Sequence, residues 1–123
     1  MNGRRSQRVA ETIRSYLTDA LRRDLSDVVL TNLVVTGIEV NDDLAVAHVS
    51  VRLLVGDEDP QKRSDVTRRL HRASTRLRRG LAPKLRLRRV PELRFTYDTG
   101  LDAERRVEEI LREIEQEPKA DSD

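Results

Sequence analysis

Apolar residues recur every three or four positions in the first part of the chain. Such spacing places them on one face of a helix, and no glycine or proline interrupts the stretch. The apolar positions are Val9, Ile13, Leu17, Ala20 and Leu21. Because the hydroxyl of Ser6 can cap free backbone N–H groups, the pattern predicts a helix from Ser6 to about Leu25.

The spacing changes to alternation after residue 32. Residues 33–40 and 45–55 are rich in β-branched side chains, and the Asn41-Asp42-Asp43-Leu44 segment between them has the composition of a turn. Alternate residues of the second run are apolar: Ala47, Val49, Val51, Leu53 and Val55. The residues between them, His48, Ser50 and Arg52, would face the opposite way. We therefore predict a β-hairpin with one face on the core.

Helical spacing returns after a loop at residues 56–60. Pro60 suits the first turn of a helix, and the following pattern predicts a helix from about Gln61 to Arg79. Its buried stripe would consist of Val66, Leu70, Ala73 and Leu77. Gly80 and Pro83 are expected to end or kink this helix.

The last third of the chain predicts a strand followed by a helix. Residues Leu85 to Tyr97 favour a strand, and Pro91 within it implies an edge position or a bulge. The alternating residues Leu93, Phe95 and Tyr97 would point inward. The segment 99–102 resembles a capping box and would open a C-terminal helix over 99–116, before a disordered acidic tail at 117–123.

The element order α-β-β-α-β-α predicts an α+β fold in one domain. A three-stranded sheet can bury its apolar face by packing helices against one side. Residues 1–5 are expected to form a flexible basic N-terminus, and residues 6–98 the globular domain.

Charge is distributed unevenly, although the net charge of the chain is only +2. Residues 62–94 hold thirteen Lys and Arg against Asp65 and Glu92, a net charge of +11. The flanking segments 24–61 and 95–123 have net charges of −7 and −6, and residues 1–23 have +4. Like charges at such density repel each other and attract a polyanion. The predominance of Arg favours bidentate contacts with phosphate.

Five arginines would share one face of the second long helix, within an arc of about 100°. This arginine stripe consists of Arg68, Arg69, Arg72, Arg76 and Arg79. We expect it to lack acidic partners along the helix, whereas an ordinary solvated face mixes both signs. The pattern favours binding of a polyanion such as RNA, but an acidic protein partner remains open as the alternative. Few large apolar residues flank the stripe, which disfavours a membrane surface.

Little in the sequence indicates catalysis. There is no cysteine, and the two histidines, His48 and His71, lie outside any metal-binding motif. Phosphate-binding glycine loops and nucleophile motifs are also absent from the sequence. Residues 1–8 lack the apolar segment of a secretory signal, and no apolar run is long enough to span a membrane. We therefore expect a cytoplasmic protein that is not an enzyme.

Several short segments, taken together in their order and spacing, carry a family resemblance. They are Arg8-Val9, VTGIEVNDDLAVAHVSV at 35–51, Arg72-Ala73-Ser74, and LRLRRVPELRFTYD at 85–98. On these segments the chain resembles the ribosome-binding factor A family from about Gln7 to Leu111. The most specific part is the VPEL-F-YD run from Val90 to Asp98.

The resemblance implies a type II KH fold and binding to the 30S small ribosomal subunit and the 5′ region of 16S rRNA during late maturation. It also implies a role in cold adaptation, with no catalysis, cofactor, membrane or small-molecule substrate, and a monomeric state. The expected RNA-binding residues are the arginine stripe together with Lys84, Arg86, Arg88 and Arg89. Arg4, Arg5 and Arg8 are expected as additional RNA contacts.

The family has a helix kink marked Ala-x-Gly, and the matching positions here are Ala73-Ser74-Thr75. Thr75 stands where the family has Gly, and Thr tolerates a positive φ poorly. Two alternatives follow: the helix runs straight through Ser74 and Thr75, or a Thr hydroxyl bond to the preceding turn supports a milder bend.

Overall fold

A computed structural model describes residues 2–23, 28–100 and 112 of the 123-residue chain. Its elements are α1 (Asn2–Arg23), α2 (Val28–Thr31), β1 (Leu33–Val40), β2 (Val46–Leu53), α3 (Pro60–Leu85) and β3 (Glu92–Tyr97). The predicted α+β class is therefore confirmed. The predicted C-terminal helix over 99–116 and the tail at 117–123 lie outside the described residues, except for residues 99, 100 and 112.

The three strands form one mixed sheet with β2 in the centre. β1 and β2 pair antiparallel as the predicted hairpin, with Leu33 opposite Leu53 and Val40 opposite Ala47. β2 and β3 pair in parallel, so α3 is the crossover that joins them. β3 lies at an edge of the sheet, which is one of the two outcomes that the sequence predicted for this strand.

One apolar core lies between the helices and the sheet. All five apolar positions predicted for the first helix are buried, as is the predicted stripe of the second long helix. From the strands, the core takes Ala47, Val49, Val51, Leu93 and Phe95, whereas Tyr97 is only partly buried. The side chains that face the core were thus predicted correctly for β2 and β3, apart from Val55, which is exposed beyond the end of β2.

The first helix begins earlier than predicted. α1 starts at Asn2, so Ser6 is an interior residue whose hydroxyl donates to the Gly3 carbonyl oxygen at 3.1 Å. Its side chain is buried and does not cap the helix. The segment expected to be a flexible N-terminus therefore supplies the first turn of α1 from Asn2 onward.

α3 is longer than predicted and continues through Gly80 and Pro83 to Leu85. At its start, a carboxylate oxygen of Asp59 accepts from the Gln61 backbone N–H at 2.9 Å. Gly80 does not end the helix, because Leu81 extends the apolar stripe by another turn and is fully buried. Pro83 lies in the last turn and lacks the backbone N–H that would bind the Arg79 carbonyl oxygen, yet the helix continues to Leu85.

The third strand is shorter than predicted, since Leu85 belongs to α3 and β3 begins at Glu92. Residues 86–91 form a connecting segment instead. Pro91 is buried immediately before the strand and therefore causes no bulge within it. The backbone N–H of Glu92 donates to the Ala45 carbonyl oxygen at 2.9 Å and so starts the pairing with β2.

Candidate nucleic-acid interface

Among the exposed arginines of α3, Arg72, Arg76 and Arg79 follow one another along its solvent face. Their spacing of four and three residues keeps them within an arc of about 60° on the helix. Within residues 2–23, 28–100 and 112, no acidic side chain pairs with any of them. These three arginines are thus positioned by one long helix, and no acidic side chain in the described part of the chain pairs with their charges.

The other two members of the arginine stripe do have an acidic partner, contrary to the prediction. The Asp65 carboxylate accepts from Arg68 Nη2 at 2.9 Å and from Arg69 Nε at 2.8 Å. The spacings of three and four residues bring these side chains together on the helix surface. The hydrogen bonds from Arg68 and then from Arg69 lower the pKa of Asp65 below its usual range. Asp65 therefore reduces the positive charge at one end of the stripe.

Four more of the predicted RNA-binding residues lie close together at the end of α3 and directly after it. Lys84 is exposed in the last turn of α3, and Arg86 caps the helix in the left-handed conformation with φ of 54°. Arg88 and Arg89 are exposed in the segment 86–91. This segment begins where the helix ends, so its arginines follow directly on the basic residues of α3.

Arg78 holds the 86–91 segment against α3, a role that the sequence did not indicate. Its Nη2 donates to the Val90 carbonyl oxygen at 2.9 Å, and its Nε donates to the Pro91 carbonyl oxygen at 3.1 Å. Both hydrogen bonds are partly buried. The available signal was the helical position of Arg78, which lies about 60° around the axis from the buried Leu81 and therefore borders the buried stripe.

A groove of about 510 Å³ lies between α3 and the segment that leads into β3. Its helix wall includes Thr75, Arg79 and Ala82, which recur at i, i+4 and i+7. The opposite wall includes Arg89 and Glu92. Because Arg79 belongs to both the groove and the arginine stripe, the two features form one continuous surface.

The residues Ala73, Ser74 and Thr75 lie within the uninterrupted helix α3. Neither Ser74 nor Thr75 has a positive φ, and no break separates two helical segments at this point. The Ser74 hydroxyl donates to the His71 carbonyl oxygen at 2.7 Å, while Thr75 is exposed at the groove. The helix is therefore continuous through Ser74 and Thr75.

The N-terminal arginines Arg4, Arg5 and Arg8 are exposed on the first turns of α1. They are therefore carried by a different helix from the arginine stripe.

The start of α3 is fixed by a hydrogen-bonded cluster around Asp57. The Tyr97 hydroxyl donates to the Asp57 carboxylate and accepts from the Leu53 backbone N–H at 2.9 Å. Arg52 Nη2 donates to the same carboxylate at 2.9 Å. The hydrogen bonds from Tyr97 and then Arg52 lower the pKa of Asp57 below its usual range. This cluster connects the loop before α3 to the ends of β2 and β3.

Two negative findings apply to the described residues. None of the helices in the ranges given above has the length and apolar character needed to cross a membrane. Within the same ranges, His, Asp and Glu side chains form no group of three that could hold a metal ion.

A family model described as Ribosome-binding factor A matches residues 5–111. The chain belongs to the ribosome-binding factor A family. Among curated members, the ribosome-binding factor A of Sorangium cellulosum is 49% identical over 111 residues, covering 90% of this chain and 89% of the relative. That of Desulfitobacterium hafniense is 35% identical over 117 residues, covering 95% and 91%. The family resemblance inferred from the sequence is confirmed.

Solved structures of family members share the fold. The crystal structure of ribosome-binding factor A from Thermus thermophilus has a TM-score of 0.63 at 26% identity, covering 75% of this chain and 94% of that chain. A homology model of the Thermus thermophilus factor, fitted into the cryo-EM map of its complex with the 30S subunit, has a TM-score of 0.57 at 29% identity and covers 71% and 88%. The predicted type II KH-like fold is thus confirmed.

Proposed function

We propose that this chain is a non-catalytic assembly factor that binds the immature 30S ribosomal subunit through 16S rRNA. Membership of the ribosome-binding factor A family supports ribosome binding, and a related factor has been placed in a complex with the 30S subunit. The finer parts of the proposal are action near the 5′ region of 16S rRNA during late maturation, a role in cold adaptation, a cytoplasmic location and a monomeric state.

The observation that carries the RNA-binding part is the set of exposed arginines Arg72, Arg76 and Arg79. Their Cα atoms span about 10 Å along the helix axis, at about 1.5 Å per residue. One strand of nucleic acid carries a charge about every 3.4 Å of axis, so the span matches a few successive phosphates. Because the helix fixes the backbone of these three residues before binding, little backbone ordering is needed to make these contacts.

Further basic residues extend the surface on both sides of these three. Lys84, Arg86, Arg88 and Arg89 would contact phosphates beyond the C-terminal end of α3. Arg68 and Arg69 would contribute at the other end with reduced net charge, because both bind Asp65. Arg4, Arg5 and Arg8 are proposed as additional contacts from α1.

Co-sedimentation with purified 30S subunits tests the proposal. The double variant Arg72→Glu/Arg76→Glu should lose association, because two phosphate contacts become repulsive. The control Arg22→Glu/Arg23→Glu makes the same charge change at the C-terminal end of α1 and should still co-sediment. Circular dichroism should show unchanged helicity in both variants. Unchanged co-sedimentation of the α3 variant would refute binding through the arginine stripe.

The alternative is an adaptor whose arginine stripe docks an acidic protein. Nuclease treatment of a complex recovered from cell extract distinguishes the two. RNA binding predicts that partners are lost on digestion, whereas the adaptor predicts that they remain.

A further inference from the structure

Large apolar side chains are exposed to solvent at one end of the sheet, where β1 begins and β2 ends. Among residues 2–23, 28–100 and 112, the exposed large apolar residues are Val34, Leu54 and Val55, which we call the apolar patch. Leu54 is 67% exposed and Val55 is 73% exposed. Covering such a patch removes apolar surface from water and is therefore favourable.

Val34 and Leu54 share the open face of the sheet, which points away from the helices. Val34 lies opposite Arg52 in the antiparallel register, and Leu54 follows two residues after Arg52. The Leu54 backbone N–H donates to the Asn32 carbonyl oxygen at 3.0 Å, which extends the pairing of β1 with β2. Side chains in this diagonal relation lie about 7–8 Å apart. The buried Leu53 points to the opposite face, so one ligand on the open face can cover Val34 and Leu54 together.

The chain leaves β3 towards the same open face. The Asp98 backbone N–H donates to the Val51 carbonyl oxygen at 2.7 Å, and the Asp98 carboxylate accepts from the Gly100 backbone N–H at 2.9 Å. Hydrogen bonds from that N–H and then from the Thr36 side chain lower the pKa of Asp98. Thr36 belongs to β1, so its contact with Asp98 spans the central strand β2. Because the core fills the other side of the sheet, this contact crosses the open face.

Gly100 brings the chain to the margin of the apolar patch. Its φ of 81° is a left-handed conformation that turns the backbone, and a Cβ at this position would lie 3.3 Å from Arg52 Nη1. Gly100 therefore lies against the side chain that separates Val34 from Leu54 on the open face. Leu54 is about 7 Å further along the strand than Arg52, at about 3.3 Å per residue.

The residues that follow Gly100 have an apolar stripe of matching length. Val107, Ile110, Leu111 and Ile114 recur at i, i+3, i+4 and i+7, and the residues between them are all Glu or Arg. This spacing predicts one apolar face on a helix. As a helix, the seven residues from Gly100 to Val107 would advance about 10 Å, and the stripe would extend about 10 Å more. Both lengths are close to the dimensions of the apolar patch.

We propose that residues 101–116 fold back as a helix whose apolar stripe covers Val34 and Leu54 on the open face of the sheet. The segment is joined to the patch through Gly100, so its effective concentration there is about millimolar and a small contact area suffices. The patch lies on the opposite face of the sheet from α3, and the docked segment therefore leaves the arginine stripe accessible. This inference does not depend on the proposed function.

The alkylation rate of a single thiol at Leu54→Cys measures the coverage, since the native chain contains no cysteine. Val107→Ser/Ile114→Ser should raise this rate by about fivefold or more, because protection is lost when the segment no longer covers the patch. Glu109→Ser/Gln116→Ser is the matched control, with the same spacing of seven residues on the opposite face of the predicted helix. It should leave the rate unchanged.

A thiol at the buried position Val49→Cys distinguishes loss of docking from unfolding. This thiol should stay unreactive in both serine variants, and its reaction in Val107→Ser/Ile114→Ser would show that unfolding causes the effect and would overturn the inference. A second measurement leaves the apolar stripe intact. A spin label at Arg112→Cys should broaden the methyl NMR signals of Val34 and Leu54, whereas those of Val90, before the start of β3, should stay sharp.

Equal alkylation rates in the two serine variants and the unsubstituted background would overturn the inference, as would sharp Val34 and Leu54 signals in the labelled chain. A Leu54→Cys rate that falls only as the protein concentration rises would assign the patch to a second copy instead. A rate that falls only when 30S subunits are added would assign it to the ribosome. Because the alkylation comparison uses the free chain, each of these outcomes leaves ribosome binding through the arginine stripe to its own test.

Discussion

Gly80 of α3 lies so close to Tyr16 of α1 that a Cβ at Gly80 would overlap the Tyr16 phenol oxygen. The closest ring carbon would be only 3.0 Å from that Cβ. Gly80 therefore permits the close approach of two helices and does not act as a helix stop. Since Arg79 is its neighbour in sequence, this packing contact also helps to fix the position of the arginine stripe.

Gly80→Ala should destabilise the fold although alanine favours helix formation. Overpacking against Tyr16 should outweigh the gain in helix propensity, for a net cost of about 1 kcal/mol in the free energy of unfolding. Urea denaturation measures this change.

The destabilisation by Gly80→Ala should turn into stabilisation when the ring of Tyr16 is removed. In a Tyr16→Leu background, Gly80→Ala should stabilise the chain by about 1 kcal/mol, because only the helix-propensity term remains. Equal effects in both backgrounds would show that the contact with Tyr16 does not determine the need for glycine.

Arg78→Met should destabilise the chain by about 1–3 kcal/mol, because two partly buried carbonyl oxygens would lose their donors. Methionine retains the apolar stem, so the loss reports the guanidinium hydrogen bonds. The control Arg76→Met, at an exposed position, should change the free energy of unfolding by less than about 0.5 kcal/mol. Similar effects of the two substitutions in urea denaturation would contradict the anchoring role of Arg78.

Stability should decrease in acid partly through the Asp57 cluster. Because its pKa is lowered in the folded chain, Asp57 contributes stability that is complete above the unfolded value of about 3.9 and is lost as pH falls through the lower folded value. Asp57→Asn should therefore flatten the decline in unfolding free energy in this acidic range. Tyr97→Phe should raise the pKa of Asp57, which NMR titration of its carboxyl carbon can measure. An unchanged titration would exclude Tyr97 as the main cause.

Asp65→Asn should strengthen binding to 30S subunits by about two- to fivefold, the range expected for one exposed charge interaction. The substitution removes the acceptor charge that Arg68 and Arg69 share and leaves both arginines available for phosphate. Asp42→Asn in the hairpin turn makes the same charge change away from α3 and serves as the control. Equal gains in the two variants would indicate a general charge effect.

The main features of the fold were predictable because apolar residues recur at regular intervals along the chain. The positions around Ile13 and Leu70 follow helical spacing, and those around Val49 follow strand alternation, so the buried faces could be assigned locally. The end of α3 could not be assigned this way, because glycine usually breaks helices and its packing against Tyr16 depends on tertiary structure. The four-residue helix α2 is too short to show a helical period.

The positive charge of the candidate site could be predicted from the sequence, but the contacts between its residues were not predicted. The exposure of Arg72 and Arg76 followed from helical geometry. The pairing of Asp65 with Arg68 also follows from local spacing, so the sequence contains the signal for that correction. The groove brings Ala82 together with Glu92, and this proximity depends on the fold of the 86–91 segment.

The salt dependence of 30S binding tests the central claim most directly, namely that the arginines of α3 bind phosphates. The logarithm of the association constant should fall linearly with the logarithm of salt concentration, and Arg72→Gln/Arg76→Gln should make the slope shallower by about 1.4–1.8, for two lost phosphate contacts. Arg22→Gln/Arg23→Gln should leave the slope unchanged. A binding constant independent of salt, or an equal slope in the native chain and the α3 variant, would contradict the account.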